Sequence, residues 1–234
     1  MRSRFDAAIV DLDGTMVDTL GDFAEALNRM LAELALPAIA RTAIGQRVGK
    51  GSEHLIRAVL AHVCGEPRED LYASAWQSYQ QHYLAINGQY STVYPGVVEG
   101  LKALQQQGLT LACLTNKPAA FAVPLLALKG LDGFFSQVFG GDSFERKKPD
   151  PLPLLKTCEA LGTLPARTLM IGDSSNDAQA ARAARCPVLL VTYGYNHGEP
   201  VRGMDADGFV DSLAELPLDF CLFAGSDLTG LASR

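Results

Sequence analysis

The chain has 234 residues, of which 48% are hydrophobic and 20% charged, as in an ordinary globular protein and unlike a disordered or fibrous one. The formal net charge of −6 gives no electrostatic reason to expect nucleic acid or an anionic membrane as a partner. A chain of this length can form one large domain, or a core with a smaller companion.

Four short apolar runs predict the strands of a sheet: Ala7–Val10, Leu109–Leu114, Leu169–Ile171 and Val188–Val191. Each run is too short for a helix and too uniformly apolar for a half-exposed strand, which favours strands buried on both faces of a parallel sheet. Helical patterns separate the later runs, and in Val97–Gln107 apolar residues recur at spacings of three and four. This alternation predicts an α/β fold with a doubly wound, Rossmann-like parallel sheet.

The stretch 16–89 breaks the alternation, because it contains helical patterns and no strand-like run. A helical insert placed directly after the first strand is typical of a cap domain over a catalytic core. We therefore predict a core made of residues 1–15 and 90–220, an α-helical cap domain over 16–89, and a C-terminal tail at 221–234.

The five cysteines lie far apart and form no CxxC pair, which favours reduced thiols in a cytoplasmic protein over a zinc site. Acidic residues interrupt the N-terminal apolar run, so the sequence predicts no signal peptide. No run approaches the ~18 apolar residues that a membrane helix needs. We expect a cytoplasmic monomer or homodimer that acts without a membrane or nucleic acid.

Three of the apolar runs end in clusters of polar residues. These residues are Asp11 and Asp13 after the first run, Thr115, Asn116 and Lys117 after the second, and Asp173 and Asp177 after the third. Because open α/β sheets bind ligands at the carboxyl ends of their strands, we expect the three clusters to meet in one crevice. Lys148, in KKPDP between the second and third runs, would add a cation there.

Four carboxylates in one crevice repel one another and take up protons unless a cation compensates them. Mg²⁺ prefers hard oxygen ligands of this kind, which makes Asp11, Asp13, Asp173 and Asp177 the predicted metal-binding residues. With Mg²⁺ and Lys148 counted, about one negative charge is left over from the four carboxylates. Protonation of one carboxylate would make the site neutral and able to accept a phosphate group.

The same residues suit phosphoryl transfer. Asp11 can attack phosphorus as a nucleophile and form an aspartyl-phosphate, and Asp13 can protonate the departing oxygen and then activate water. Thr115 and Asn116 can hold the phosphoryl oxygens, whose charge Lys148 offsets. Taken singly, each cluster fits a helix N-cap or a solvated turn equally well, so the prediction depends on their occurring together and in this order.

The motifs DLDGT, LTN, KKPDP and GDSSND resemble, in this order, the four motifs of the haloacid dehalogenase superfamily of phosphohydrolases. The resemblance covers about Phe5–Thr19 and Tyr94–Leu216. RVGKGSEHLIRAVL, GGDSFERKKPDPLPLL and TYGYNHGEP are most similar to the phosphoglycolate phosphatase-like subfamily. The resemblance implies a Mg²⁺-dependent phosphatase that hydrolyses 2-phosphoglycolate to glycolate, with Mg²⁺ held by Asp11, the Asp13 backbone carbonyl and Asp173.

A substrate that carries a carboxylate calls for cations or backbone donors near the cap. The predicted substrate-binding residues are Gly14, Asn116, Arg47, Gly49, Lys50, Gly51 and Arg57. Gly14 permits a tight turn whose amides can face the phosphate. Lys50 departs from the subfamily pattern, which more often has Asn between the two glycines.

Other functions fit the same motifs. A sugar-phosphate phosphatase or a β-phosphoglucomutase-like phosphotransferase of the same superfamily would share the core and the cap. A stoichiometric aspartyl phosphoacceptor, similar to a response-regulator receiver, would also use Asp, Mg²⁺, Thr and Lys on an α/β sheet, although receivers are shorter and lack a cap. Steady turnover of a phosphomonoester distinguishes the enzymes from the phosphoacceptor.

Overall fold

The computed structural model describes residues 4–216, so the predicted tail at 221–234 and the last residues of the predicted core lie outside the described residues. The strands are β1 (Ala7–Val10), β2 (Val17–Asp18), β3 (Thr92–Val93), β4 (Thr110–Leu114), β5 (Gln137–Phe139), β6 (Thr168–Gly172), β7 (Val188–Val191) and β8 (Gly208–Val210). The helices are α1 (Leu20–Glu33), α2 (Arg41–Gly45), α3 (Ser52–Cys64), α4 (Glu69–Ile86), α5 (Val97–Gln106), α6 (Ala119–Leu128), α7 (Leu152–Leu161) and α8 (Ser175–Ala184). Among residues 4–216, no helix is both long and apolar enough to cross a membrane.

Six strands form one parallel sheet in the order β5-β4-β1-β6-β7-β8. β1 lies between β4 and β6, and Val10 pairs with Cys113 on one side and with Ile171 on the other. The four predicted strands became β1, β4, β6 and β7 with shifts of one residue at most at either end. The predicted α/β fold class is therefore confirmed.

β1 is buried on both of its faces, as its apolar sequence predicts. Val10 belongs to a hydrophobic cluster with Leu101 and Leu125 on the α5–α6 side of the sheet. Ile9 belongs to a second cluster with Leu154 and Ala181 on the α7–α8 side. Successive residues of a strand point to opposite faces, so packing from both sides fixes the end of β1 and the residues that follow it.

The helical insert after the first strand is also confirmed, since α1 to α4 lie between β2 and β3. β2 and β3 pair antiparallel, so the segment that leaves the sheet lies beside the segment that returns to it. The buried side chains of the insert form their own cluster, which Phe121 of α6 joins. The domain boundaries 16–89 for the cap and 1–15 and 90–220 for the core stay predictions.

Candidate active site

Three adjacent strand ends bring the first polar residues of the site together. Asp11 follows β1, Thr115 follows β4 and Asp173 follows β6, and all three are buried. The backbone N–H of Asp11 donates to the carbonyl of Ile171, 2.9 Å away, which extends the β1–β6 ladder by one residue. The parallel register thus places the predicted clusters in one crevice, as the sequence indicated.

Asp11, Asp173 and Asp177 form a buried group that fits a metal ion. Each offers one carboxylate oxygen, and these oxygens all lie within 4.8 Å of one another. Carboxylate oxygens are the ligands that Mg²⁺ prefers. Asp11 follows β1, Asp173 follows β6 and Asp177 lies in the first turn of α8, so the ligand group depends on the pairing of β1 with β6.

Asp177 is held in place by the start of α8. Ser174 is the N-cap of this helix and forms a capping box with Asp177. The Asp177 Oδ2 atom accepts hydrogen bonds from the Ser174 hydroxyl at 2.9 Å and from the backbone N–H of Ser174 and of Asp173. Asp177 therefore caps a helix and lines the site at once, and only its Oδ1 faces the neighbouring charges.

Lys148 lies in the middle of these acids. Its Nζ is 2.9 Å from Asp11 Oδ1 and 2.7 Å from Asp177 Oδ1, and it donates to the carbonyl of Leu114 at 2.8 Å. Burial alone would lower the pKa of Lys148, but the two carboxylates raise it above its usual value, so the ammonium stays charged. The cation predicted from KKPDP is thus an integral part of the acidic group.

Burial and mutual repulsion still disfavour the ionised form of these carboxylates, despite the positive charge of Lys148. Burial raises the pKa of Asp11 to about 7, an effect that Lys148 opposes and Asp177 reinforces. Burial, followed by the charges of Asp177 and Asp11, raises the pKa of Asp173 well above its usual value. A divalent cation among these oxygens would remove the repulsion, so the residues present fit Mg²⁺ in both ligand type and charge.

A second buried lysine, to which the sequence assigned no role, faces Asp13. Lys117 comes after Thr115 and Asn116 in the segment that follows β4, and its Nζ lies 3.0 and 3.3 Å from the two carboxylate oxygens of Asp13. The two side chains are 2% and 11% exposed. Lys117 comes directly after Thr115 and Asn116 in TNKP, and this position in the sequence was the one indication that it belongs to the site. A lysine after a strand more often points into solvent.

The second lysine changes the charge count of the site. Without a metal, four aspartates and two lysines leave an excess of two negative charges. The count made from the sequence included Lys148 alone and left an excess of three. One divalent cation would balance the four aspartates and two lysines. The phosphate group of a substrate would then enter a site without net repulsion.

Gly14 makes the tight turn after β1 possible. It has φ +87°, a left-handed conformation that favours glycine, and its N–H donates to the Val17 carbonyl at 2.9 Å. A Cβ atom at this position would press directly on the carboxylate of Asp173 and lie 2.9 Å from the ring of Tyr195. Tyr195, which the sequence did not single out, also donates its backbone N–H to Asp173.

Thr115 and Asn116 both lie in the crevice, but their side chains differ in what they already bind. The Thr115 hydroxyl accepts the backbone N–H of Lys117 at 3.2 Å, and its own proton is free for a ligand. The Asn116 amide donates to the carbonyls of Gly49 and Lys148 at 2.9 and 2.8 Å, and its oxygen accepts the Lys148 N–H. Asn116 therefore joins the insert to the lysine segment of the core.

The Gly49–Gly51 loop of the insert closes over the crevice. The Gly49 carbonyl accepts hydrogen bonds from Asn116 and from Asn176, the latter at 3.1 Å. Gly49 and Gly51 both line the cavity between insert and core, and both have positive φ. Asn176, in the GDSSND motif, is a contact that the sequence analysis missed, since only the aspartates of that motif were assigned.

The structure does not bring Arg47, Lys50 or Arg57 to the cavity in the part of the chain that it describes. Arg47 donates to the Ala43 carbonyl and contacts His62. Lys50 is exposed. The side chain of Arg57 is 43% exposed, pairs with a glutamate of α4 at 2.9 Å, and lies 3.7 Å over a tyrosine ring of the same helix.

Comparisons with known proteins agree with this geometry. The haloacid dehalogenase-like hydrolase family matches residues 5–185. The phosphoglycolate phosphatase of Thiobacillus denitrificans is 47% identical over 91% of this chain and 94% of its own length. That of Cupriavidus necator, encoded on a plasmid, is 46% identical over 90% and 91%. The crystal structure of a predicted phosphoglycolate phosphatase from Haemophilus somnus is 34% identical, with a TM-score of 0.87 over 91% of this chain and 96% of that one.

Proposed function

Because this chain belongs to the haloacid dehalogenase-like hydrolase family, we propose that it is a magnesium-dependent phosphoglycolate phosphatase, a phosphoric monoester hydrolase. It hydrolyses 2-phosphoglycolate to glycolate and inorganic phosphate. The observation that supports this most is the position of Asp11, buried at the end of β1 between Lys148 and the Asp173–Asp177 pair. The substrate comes from the names of relatives that match about nine-tenths of the chain.

In the first step an oxygen of Asp11 attacks phosphorus, and the bond between phosphorus and the ester oxygen breaks. An alkoxide is a poor leaving group at neutral pH, so the ester oxygen takes a proton from Asp13 as it departs. The Thr115 hydroxyl donates to the phosphoryl oxygens, and Lys148 offsets their charge. The products of this step are glycolate and an aspartyl-phosphate on Asp11.

In the second step water replaces Asp11 on phosphorus. Asp13, now ionised, takes a proton from the attacking water, and the bond between phosphorus and Asp11 breaks to release inorganic phosphate. The ammonium of Lys117, 3.0 Å from Asp13, keeps this carboxylate oriented toward the cavity through both half-reactions. Asp13 therefore acts as the acid toward the leaving group in the first step and as the base toward water in the second.

Asp11, Asp173 and the backbone carbonyl of Asp13 are the proposed magnesium ligands, and Asp177 binds the ion or orients its water. When bound, Mg²⁺ supplies positive charge that stabilises the phosphoryl oxygens and neutralises the acids around them. Asp177 is better placed to orient than to coordinate, because its Oδ1 lies 2.7 Å from Lys148 and its Oδ2 caps α8.

We propose a small phosphorylated metabolite as the sole required partner, and the cytoplasm as the location. The four cysteines in the described part of the chain, Cys64, Cys113, Cys158 and Cys186, are free thiols, which supports a reducing compartment. The choice between monomer and homodimer stays a prediction.

A metabolite panel tests the proposed function. The purified protein is assayed with Mg²⁺ against 2-phosphoglycolate, hexose phosphates, pentose phosphates and p-nitrophenyl phosphate, ranked by kcat/KM. We expect 2-phosphoglycolate to rank first by about 10-fold or more, and EDTA to abolish turnover. A hexose phosphate in first place would favour the sugar-phosphate phosphatase or mutase alternative, and a single burst without turnover would favour the phosphoacceptor.

A further inference from the structure

Lys117 is a buried cation that faces the substrate cavity. Its Nζ lies 2.6 Å from the Tyr83 hydroxyl, 4.5 Å from the centre of the Phe23 ring and 4.6 Å from that of the Tyr83 ring. Asp13 is its one charged partner among the contacts described for it. Burying an ammonium is costly, and a buried ion pair often stabilises a fold less than apolar residues would. The position of Lys117 therefore calls for a role beyond stability.

Two cations line the cavity within residues 4–216, namely Lys117 and Lys148. An ammonium has three donors, and Lys148 uses its own on Asp11, Asp177 and the Leu114 carbonyl. Lys117 has one carboxylate and one hydroxyl as partners, so it keeps donor capacity for a ligand. It is the cavity cation that remains available to a second anionic group of a substrate.

Tyr83 holds Lys117 in place. Its hydroxyl oxygen accepts from Lys117, and its side chain is fully buried and does not line the cavity. Tyr83 belongs to α4 of the insert and Lys117 to the core, so the two residues meet where insert and core close on each other.

We infer that Lys117, positioned by the Tyr83 hydroxyl, forms the subsite for the carboxylate of the substrate, and that it selects phosphate esters of short 2-hydroxy acids. This inference rests on the proposed function. In such an ester the carboxylate and the ester oxygen are attached to the same carbon. Once Asp13 contacts the ester oxygen, the carboxylate lies about one hydrogen-bond length further on, and Lys117 Nζ lies that far from Asp13.

The aromatic surroundings make this subsite selective. The rings of Phe23 and Tyr83 lie against the ammonium and keep water from it. A charge contact is stronger where water is excluded, so a carboxylate gains more here than it would at the exposed Lys50 or Arg57. A neutral ester in the same place would leave the remaining donor of Lys117 without an acceptor, which disfavours it.

The test compares Lys117→Met with the wild-type protein on 2-phosphoglycolate and on ethyl phosphate, which has a methyl group in place of the carboxylate. We expect the wild-type preference for 2-phosphoglycolate, taken as a ratio of kcat/KM values, to fall by about 10- to 100-fold in the variant. Lys147→Met is the matched control, because Lys147 lies beside Gly51 but does not line the cavity. The ratio should change by less than about twofold in that control.

Equal losses on the two substrates would mean that Lys117 acts only through Asp13, and they would overturn the inference. An unchanged ratio would overturn it as well. Tyr83→Phe removes only the hydroxyl and keeps the ring, so it tests the same subsite if Lys117→Met does not fold; we expect a fall in the ratio of about 3- to 10-fold. A wild-type protein without preference for 2-phosphoglycolate would contradict the proposed function itself, before any variant is compared.

Discussion

Asp11 combines burial with a charge that the reaction needs. Its pKa rises to about 7 because burial outweighs the attraction of Lys148, and Asp177 adds to the repulsion. A carboxylate held in this way is expensive to ionise in the free protein. In the proposed mechanism the neighbouring Asp173 adds a metal ligand and Lys148 adds a fixed positive charge.

Asp11→Asn tests the role of this residue without changing its volume. We expect kcat for 2-phosphoglycolate to fall by about 10⁴-fold or more, because an amide oxygen cannot serve as the nucleophile. Loss of a buried charge should leave the melting temperature in EDTA within about 3 °C of wild type. The measurements are steady-state kinetics and thermal unfolding, and residual activity within about 100-fold of wild type would contradict the assignment.

Gly14→Ala tests the turn that follows the nucleophile. The new Cβ would meet the Asp173 carboxylate and the Tyr195 ring in a left-handed backbone conformation. We expect the melting temperature to fall by about 5–15 °C, together with weaker Mg²⁺ binding measured by calorimetry.

Gly108→Ala is the matched control for this change. Gly108 has φ +82°, close to that of Gly14, and nothing lies within 4 Å of the place where its Cβ would stand. It should therefore show the backbone strain alone, about 1–2 kcal/mol, and unchanged Mg²⁺ binding. Equal effects of the two variants would show that crowding at Asp173 is not the cause.

For single residues, the sequence predicted the acids because each comes after an apolar run. It predicted Lys148 because KKPDP lies between the second and third of these runs. It placed Lys117 in the crevice but assigned it no role, because the burial of a lysine and its pairing with Asp13 depend on helices of the insert, which are distant in sequence. The same reason applies to Arg47 and Arg57, whose partners within the insert are seen only once α3 and α4 are packed. Spacing along the chain indicates which residues share an edge of the sheet, but not which neighbouring element covers them.

A buried carboxylate joins the start of the insert to its end. Asp22, in the first turn of α1, accepts the backbone N–H of Gly88 at 2.9 Å and of Tyr90 at 2.7 Å. Its side chain is fully buried. These bonds fix the start of the insert to the segment by which the chain returns to the core.

Asp22→Ala should destabilise the protein by about 2–4 kcal/mol, because it removes the acceptor of two backbone donors in a largely buried place. Asp22→Asn keeps the volume and one acceptor oxygen, so we expect a smaller loss, about 1–2 kcal/mol. Urea denaturation followed by circular dichroism measures both. A variant with alanine that unfolds at the wild-type midpoint would show that the two hydrogen bonds do not hold the insert.

The elements that the sequence predicted are those with a continuous apolar signal. β1 and β7 have the predicted bounds, β4 differs from its prediction by one residue at its start, and β6 differs by one residue at each end. β5 and β8 went unpredicted, since each has three residues, lies at an edge of the sheet and is partly exposed. The antiparallel pair of β2 and β3 was not predicted, because strands of two residues are too short to show a periodic pattern.

For the whole molecule, the acidic group links stability to pH and to metal. In the metal-free protein the raised pKa values of Asp11 and Asp173 favour the folded state while both are protonated. That contribution is complete below about pH 4 and is lost as the pH rises through about 7. Mg²⁺ binds the ionised form, so its stabilising effect increases over the same interval.

We therefore expect saturating Mg²⁺ to raise the melting temperature by at least about 3 °C more at about pH 8 than at about pH 5.5, relative to EDTA. Differential scanning fluorimetry measures all four conditions. Asp173→Asn, which removes a proposed ligand, should lose most of the shift at the higher pH. A shift that is equal at both pH values, or larger at the lower one, would contradict the coupling between metal and these acids.

In the proposed mechanism, four carboxylates and two lysines are arranged so that one acid, Asp11, is phosphorylated and released in each turnover. The most direct test is to mix the protein with Mg²⁺ and 2-phosphoglycolate labelled with ³²P, quench in acid within the first turnover, reduce with borohydride, and map the peptides by mass spectrometry. We predict ³²P bound to the protein before reduction and homoserine at position 11 after it. Unlabelled protein during steady turnover, or reduction at another aspartate, would contradict the account.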